Sequence, residues 1–283
     1  MLTAPCMTRS QQVSYYRMHM LRCSYMKTVL LCLHGWGGSK ESFTELRQAL
    51  QGTDLEILTP DLPGFGAEPE PDRAWSTDDY ADWVARWLRQ RMENGSLDRL
   101  GRKMDGGILL LGHSHGGRIA IKLAARQSSA LPTTHYPLLT ISHLFLCAAA
   151  GIRHPRHFKR IIGLMLAKTG KFFLSIPGIK ALQPLGKKFL YCLVRVHDYE
   201  KASPVMRETM IKVSAEDLTP LLSRIAIPTD IFWGTDDGMT PVTDAHLMKK
   251  LISQSKLHIF EGTRHGIHKE KATEIATSIR KNL

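Results

Sequence analysis

The stretch "ILLLGHSHGGRIAIKLAA", residues 108 to 125, joins an unbroken apolar run to a helical pattern through a turn rich in glycine. "ILLLG" is short and apolar on both faces, as a strand buried inside a parallel sheet must be. Beyond the turn, Ile119 and Leu123 stand at i, i+4 with Ala120 and Ala124 beside them, the spacing of a buried helix face. A strand up to Gly112 and a helix over 115–125 are therefore predicted, with Ser114 at the junction. Gly112, Ser114 and Gly116 fit G-x-S-x-G, a pattern that in this strand-to-helix context holds a serine on strained backbone with φ > 0. Glycines two residues to either side leave room for the sharp turn, and the serine projects at a helix N-terminus, where developing negative charge is favoured. Ser114 is thus the candidate nucleophile. His113 and His115 flank it, but neighbours in a tight turn point away from each other, and a base must come within roughly 2.6 to 3.2 Å of the serine oxygen. His113 is expected to pack beside the turn and His115 to act through its backbone amide.

The same alternation of short apolar runs with helical patterns extends in both directions, which predicts an α/β fold with a mostly parallel central sheet and helices on both faces. Buried strands are expected at "TVLLCL" (28 to 33), "EILTP" (56 to 60), "ILLLG" (108 to 112), "SHLFLCAA" (142 to 149), "TDIFWG" (229 to 234) and "KLHIFEG" (256 to 262). An antiparallel edge strand is expected at "QVSYYRMHM" (12 to 20). Thr77 is the expected cap of a helix whose first turn carries Asp78 and Asp79 and whose packing face carries Tyr80, Trp83, Val84, Trp87 and Leu88. After the fourth strand of that series the alternation is interrupted by a basic helical segment with Phe158, Ile161, Ile162, Met165 and Leu166 on one side. This predicts a core domain of residues 1–151 and 221–283 and a helical lid inserted at 152–220.

Chemistry in such a sheet gathers at the carboxyl ends of the strands. After "TVLLCL" comes "HGWGGSKESF" (34 to 43), whose Gly35, Gly37 and Gly38 let the backbone approach a substrate oxygen, and whose Ser39 can cap the next helix. The Trp36 amide and the His115 amide are the two expected oxyanion donors, with the Trp36 indole walling the pocket. No P-loop lysine or dinucleotide fingerprint accompanies these glycines. After "DIFWG" stand Asp236 and Asp237, and after "KLHIFEG" stand His265 and His268, so the chain order of candidates is serine, acid, histidine.

These motifs, "HGWGG", "DLPGFG" (61 to 66), "GHSHGG" and the late acid and histidine, resemble the α/β-hydrolase superfamily over nearly the whole chain from about residue 12. The resemblance implies that the acid occupies G-x-x-D-x-x-x-P, which reads from Gly234 to Pro241 and selects Asp237 over Asp236. It also implies a G-x-x-H base with a glutamate five residues on, which Gly262, His265 and Glu270 fit. The implied function is carboxylic ester hydrolysis through a Ser-His-Asp triad and an acyl-enzyme, on small to medium acyl substrates. A thioesterase, an acyl-carrier-protein methyl esterase and a carbon-carbon bond hydrolase or lyase would use the same triad, and a non-catalytic ligand receptor is the alternative from another class. Serine in place of aspartate at the turn argues against dehalogenase and epoxide-hydrolase chemistry.

No cofactor and no metal site are expected, because the five cysteines (Cys6, Cys23, Cys32, Cys147 and Cys192) form no CxxC pair. With no secretory pattern at the N-terminus and no apolar run of bilayer length, a cytoplasmic protein with reduced thiols is expected. The formal net charge of +12 is concentrated: from Ile152 to Lys212 thirteen Lys and Arg face three acids. No nucleic-acid motif accompanies them, so no nucleic-acid partner is expected. A small-molecule ester is the expected substrate, and the basic lid suits an acidic carrier protein or an anionic lipid surface; Met165, Phe172 and Phe173 either face an apolar chain beneath it or pack the lid onto the core under a solvated basic face.

Overall fold

In the computed structural model, residues 28–94, 107–127, 140–154 and 202–283 are described. The expected edge strand at 12–20 and the lid residues 155–201, with the apolar face from Phe158 to Leu166 and with Phe172 and Phe173, lie outside them.

Six strands, β1 (Thr28–Leu33), β2 (Leu55–Leu58), β3 (Ile108–His113), β4 (Ile141–Cys147), β5 (Thr229–Gly234) and β6 (Ser255–Phe260), form one sheet in the order β2-β1-β3-β4-β5-β6. Every neighbouring pair is parallel. All six residues of β3 and all six of β5 are buried, which explains why β3 reads as a near-continuous apolar run instead of alternating. Burying each Leu, Ile or Phe in them contributes roughly 1.5 to 3 kcal/mol relative to exposure.

The bounds of four of the six strands shift by one or two residues from the sequence reading, for local reasons. β2 stops at Leu58, two residues before Pro60, which has no N–H for the ladder. β4 stops at Cys147 because Ala148 turns to φ 45°, and β6 stops before the Glu261-Gly262 turn, where Gly262 has φ 66°.

The α-helices of the described residues are α1 (Thr44–Ala49), α2 (Thr77–Asn94), α3 (His115–Gln127), α4 (Pro204–Ala215), α5 (Thr219–Leu222), α6 (Val242–Leu251), α7 (Ile267–Glu270) and α8 (Ala272–Arg280). The cap of α2 is Ser76, not Thr77. The Ser76 hydroxyl accepts from the Asp79 amide at 3.2 Å while the Asp79 carboxylate accepts from the Ser76 amide at 2.7 Å, a reciprocal capping box. Thr77 instead opens the helix with its hydroxyl buried. Asp78 of α2 binds Lys122 and Arg126 of α3 at 2.7 Å each, and Asp82 binds Arg126 at 2.7 Å, so the helix that follows Ser114 is held against α2. No helix among the described residues is long and apolar enough to cross a membrane.

The chain runs from β1 outward to β2 and then crosses back to β3, so β1 and β3 bracket the point where strand order reverses. In an open parallel sheet this leaves a crevice at the carboxyl ends of those two strands. The loops "HGWGG" and "GHSHGG" leave the sheet there, and the loops after β5 and β6 leave it on the same edge.

Candidate active site

Ser114 has φ 52°, in the left-handed region that costs a non-glycine residue about 1 to 3 kcal/mol. Packing leaves the turn no alternative. A Cβ at Gly112 would stand 2.6 Å from the Gly116 carbonyl oxygen, and one at Gly116 would stand 2.0 Å from the Leu33 carbonyl oxygen. The turn is pinned by its own backbone: the Ser114 amide donates to Cys147 O (3.2 Å), the Gly116 amide to His34 O (3.0 Å) and the Ala150 amide to Ser114 O (3.0 Å). Ser114 is partly exposed within an otherwise buried run from 111 to 120.

On the same edge, His265 Nδ1 donates to Asp237 Oδ2 at 2.7 Å, with the Asp237 carboxylate fully buried and the His265 side chain 15% exposed. Gly234 explains how two strand-end loops come so close. A Cβ there would lie 2.0 Å from the Thr263 carbonyl oxygen, so only glycine lets the loop after β6 cross the end of β5. The Asp236 amide then donates to Thr263 O at 3.0 Å. The Asp236 carboxylate points elsewhere and accepts from the Thr235 hydroxyl. Burial disfavours the Asp237 charge, but hydrogen bonds from His265 and from the Thr240 hydroxyl (2.7 Å) and amide (3.0 Å) outweigh it and hold the carboxyl below its ordinary value. The other ring nitrogen, His265 Nε2, is buried and has no hydrogen-bond partner among the described residues, Ser114 Oγ included.

Across the crevice, His115 is the first residue of α3, so its amide has no acceptor within the helix. Among the described residues, neither it nor the Trp36 amide appears in the backbone bonds that satisfy Ser114, Gly116 and Gly38 around them. The "HGWGG" loop is held by a 3.0 Å bond from the Gly38 amide to Gly35 O and by His34. His34 Nδ1–H donates to Gly35 O (2.8 Å), and its Nε2 accepts from the Leu62 amide (2.9 Å), which ties this loop to "DLPGFG". Burial favours the neutral ring of His34, and only a neutral ring can make both bonds. Ser39 caps the next turn as expected. The Trp36 indole meets Phe65 edge-on at 4.9 Å, and both line a cavity of about 230 Å³ with Gly37, Gly64, Met206 and Ala202, where Glu70 is the one charged wall residue among the described residues.

Two imidazoles beside the site, His115 and His268, are buried. His115 sits edge-on to Trp36 (5.3 Å) and Tyr80 (4.9 Å), and burial brings its pKa down to about 3. His268, on α7, lies 3.8 Å from His113 between ring centroids and edge-on to Phe43, and burial, then the charges of Lys269, His265 and His34, bring it to about 3. Neither ring has the character of a base near neutral pH.

The structure therefore brings Asp237 and His265 together, sets Ser114 at the strained turn, and leaves Asp236 and His268 outside that pairing. Two contributors were missed in the sequence. Thr240 doubles the hold on Asp237, and a hydroxyl three residues after the acid was the available signal. His34 was passed over as the leading residue of a glycine loop, although a histidine closing a buried strand is uncommon enough to question.

Residues 30–278 match the alpha/beta hydrolase family. The chain is similar to Lipase 1 of Psychrobacter immobilis, 26% identical over 246 residues that make up 83% of this chain and 70% of that protein. It is also similar to monoglyceride lipase of Homo sapiens, 27% identical over 263 residues, 89% of this chain and 80% of that one. Among solved structures, the esterase of Exiguobacterium antarcticum aligns with a TM-score of 0.62 at 21% identity, covering 91% of this chain and 92% of the other, a likeness of fold.

Proposed function

The chain belongs to the alpha/beta hydrolase family, and from that premise we propose that it is a serine hydrolase cleaving carboxylic esters with Ser114 as nucleophile, His265 as base and Asp237 as the orienting acid. The observation that carries this reading is the 2.7 Å bond from His265 Nδ1 to a fully buried carboxylate on the sheet edge where Ser114 stands at φ 52°. Because the proton on Nδ1 is committed to Asp237, the Nε2 lone pair of His265 is the one available for proton transfer.

His265 Nε2 takes the proton as Ser114 Oγ bonds to the ester carbonyl carbon, and the carbonyl π electrons move onto oxygen. The Trp36 and His115 amides hold that oxyanion, each such donor being worth roughly 2.7 to 4 kcal/mol in the transition state. Collapse expels the alkoxide, which leaves with the His265 proton and gives the acyl-enzyme. Water then repeats the sequence, giving its proton to His265 and releasing the carboxylic acid and the free serine. Asp237, held ionised by the donors around it, stabilises the imidazolium in both halves. We take the acyl group to be small to medium, with Trp36 and Phe65 as its apolar wall, and the relatives named as lipases support an ester bond as the target.

Hydrolysis of p-nitrophenyl esters of graded chain length tests the reading, with Ser114→Ala as blank. The expected result is turnover that favours the short and medium esters and falls by about 10⁴-fold or more in the variant. Equal activity of the variant overturns the assignment of Ser114, and a preference for the longest chains overturns the substrate class.

A further inference from the structure

His113 stands next to Ser114 but has no part in the proton transfers above. It is the last residue of β3 and is buried. Its Nε2 lies 3.0 Å from the carbonyl oxygen of His265. A carbonyl only accepts, so the proton is on His113 Nε2 and the ring is a donor to the backbone of the candidate base. On its other sides the ring meets both remaining parts of the site. A Cβ on Gly35, in the loop that carries Trp36, would lie 2.9 Å from His113 Nδ1 and 3.2 Å from Ser114 Cβ. The ring centroid is 4.9 Å from that of His265 and 3.8 Å from that of His268.

The topology gives this contact its weight. The base loop leaves β6, which stands three places from β3 in the sheet, so it reaches back across roughly 14 Å of strand ends (three spacings of about 4.8 Å) to approach Ser114. His265 is itself held by Asp237 from β5. The bond from His113 to the His265 carbonyl, 152 positions apart, ties the base loop directly to the strand that carries the nucleophile.

We propose that His113 is a positioning residue: its Nε2–H, donated to the His265 carbonyl, sets the reach of the base toward Ser114 while its ring seats Gly35 of the oxyanion loop. This rests on the triad reading above. Chemistry adds a second requirement, because His265 must accept a positive charge during turnover, and a charged ring 4.9 Å away would oppose it. Burial first, then the neighbouring imidazoles of His268, His265 and His34, keep His113 neutral, so the bond is made without a competing cation.

Glutamine and methionine are close in length, but only glutamine places an N–H near the position of His Nε2, so the pair separates donor from shape. kcat and KM on a p-nitrophenyl ester, and the rate at which a fluorophosphonate modifies Ser114, are measured for wild type, His113→Met, His113→Gln and Ser114→Ala. His113→Met is expected to lower kcat and the modification rate about 10- to 100-fold with KM within about twofold, since a displacement of about 1 Å has that cost, and His113→Gln to recover most of the loss. Wild-type kcat in His113→Met, equal losses in both variants, or a loss confined to KM overturns the proposal while leaving the triad intact if Ser114→Ala is dead. Full activity of Ser114→Ala overturns the triad reading itself. Should neither variant fold, ¹⁵N-correlated NMR of the wild-type imidazoles decides: a neutral His113 protonated at Nε2 is expected, and an Nδ1–H or charged ring contradicts the bond.

Discussion

Replacing His268 with phenylalanine should make the protein more tolerant of acid. The ring is buried, tilted against His113 with 3.8 Å between ring centroids, with both nitrogens free of hydrogen bonds among the described residues, and its pKa is brought down to about 3 from an ordinary 6.5. Below about pH 6.5 the unfolded chain takes a proton on this histidine that the folded chain refuses until about pH 3. The unfolded state binds more protons across that window, so stability falls as pH falls. At about pH 5 the loss is RT ln(1 + 10^1.5), about 2 kcal/mol, from this one residue. His115, also brought to about 3, adds a similar loss, and the two together amount to about 4 kcal/mol against a typical total of roughly 5 to 15. Urea unfolding at several values between about pH 7.5 and pH 5 reads the effect. The absolute stability of His268→Phe also reflects the fit of the larger ring, but that contribution is independent of pH, so the difference in slope isolates the proton. The variant should lose about 2 kcal/mol less than wild type over this range. Parallel curves would refute the assignment of His268 as a buried neutral imidazole.

The two adjacent aspartates separate cleanly. Asp237→Asn should lower kcat by about 10⁴-fold by removing the charge that orients His265, whereas Asp236→Asn, whose carboxylate binds Thr235, should stay within about twofold. At the start of α2, Ser76→Ala should cost about 1 kcal/mol in denaturant unfolding by removing the cap, and Thr77→Ala less, because the Thr77 hydroxyl has no partner to lose among the described residues.

The elements that proved legible were those whose signal is local. The apolar run of β3, the glycines around Ser114 and the i, i+4 residues of α3 each constrain their own few positions, and the turn appears where they meet. The resemblance to the family selected Asp237 over Asp236, and the structure shows why His265 stands beside it: Gly234 admits the crossing of the Thr263 backbone, which brings the His265 loop to Asp237. What stayed hidden depends on partners far away in the chain. His113 looked like packing because its acceptor, the His265 carbonyl, is 152 residues distant and belongs to the backbone, which carries no sequence signal. His34 was hidden for the same reason, its partner being the Leu62 amide. The misplaced cap at α2 has another origin: Ser76 and Thr77 are both competent, and only the reciprocal Asp79 contact three residues after Ser76 distinguishes them.

The central claim is that Ser114 is a nucleophile activated by His265. Incubation with a fluorophosphonate, followed by intact mass and peptide mapping, tests it most directly. One phosphonyl group on Ser114, appearing in step with loss of esterase activity and absent from Ser114→Ala, is the predicted result. No adduct, or an adduct that forms equally in Ser114→Ala, would contradict it.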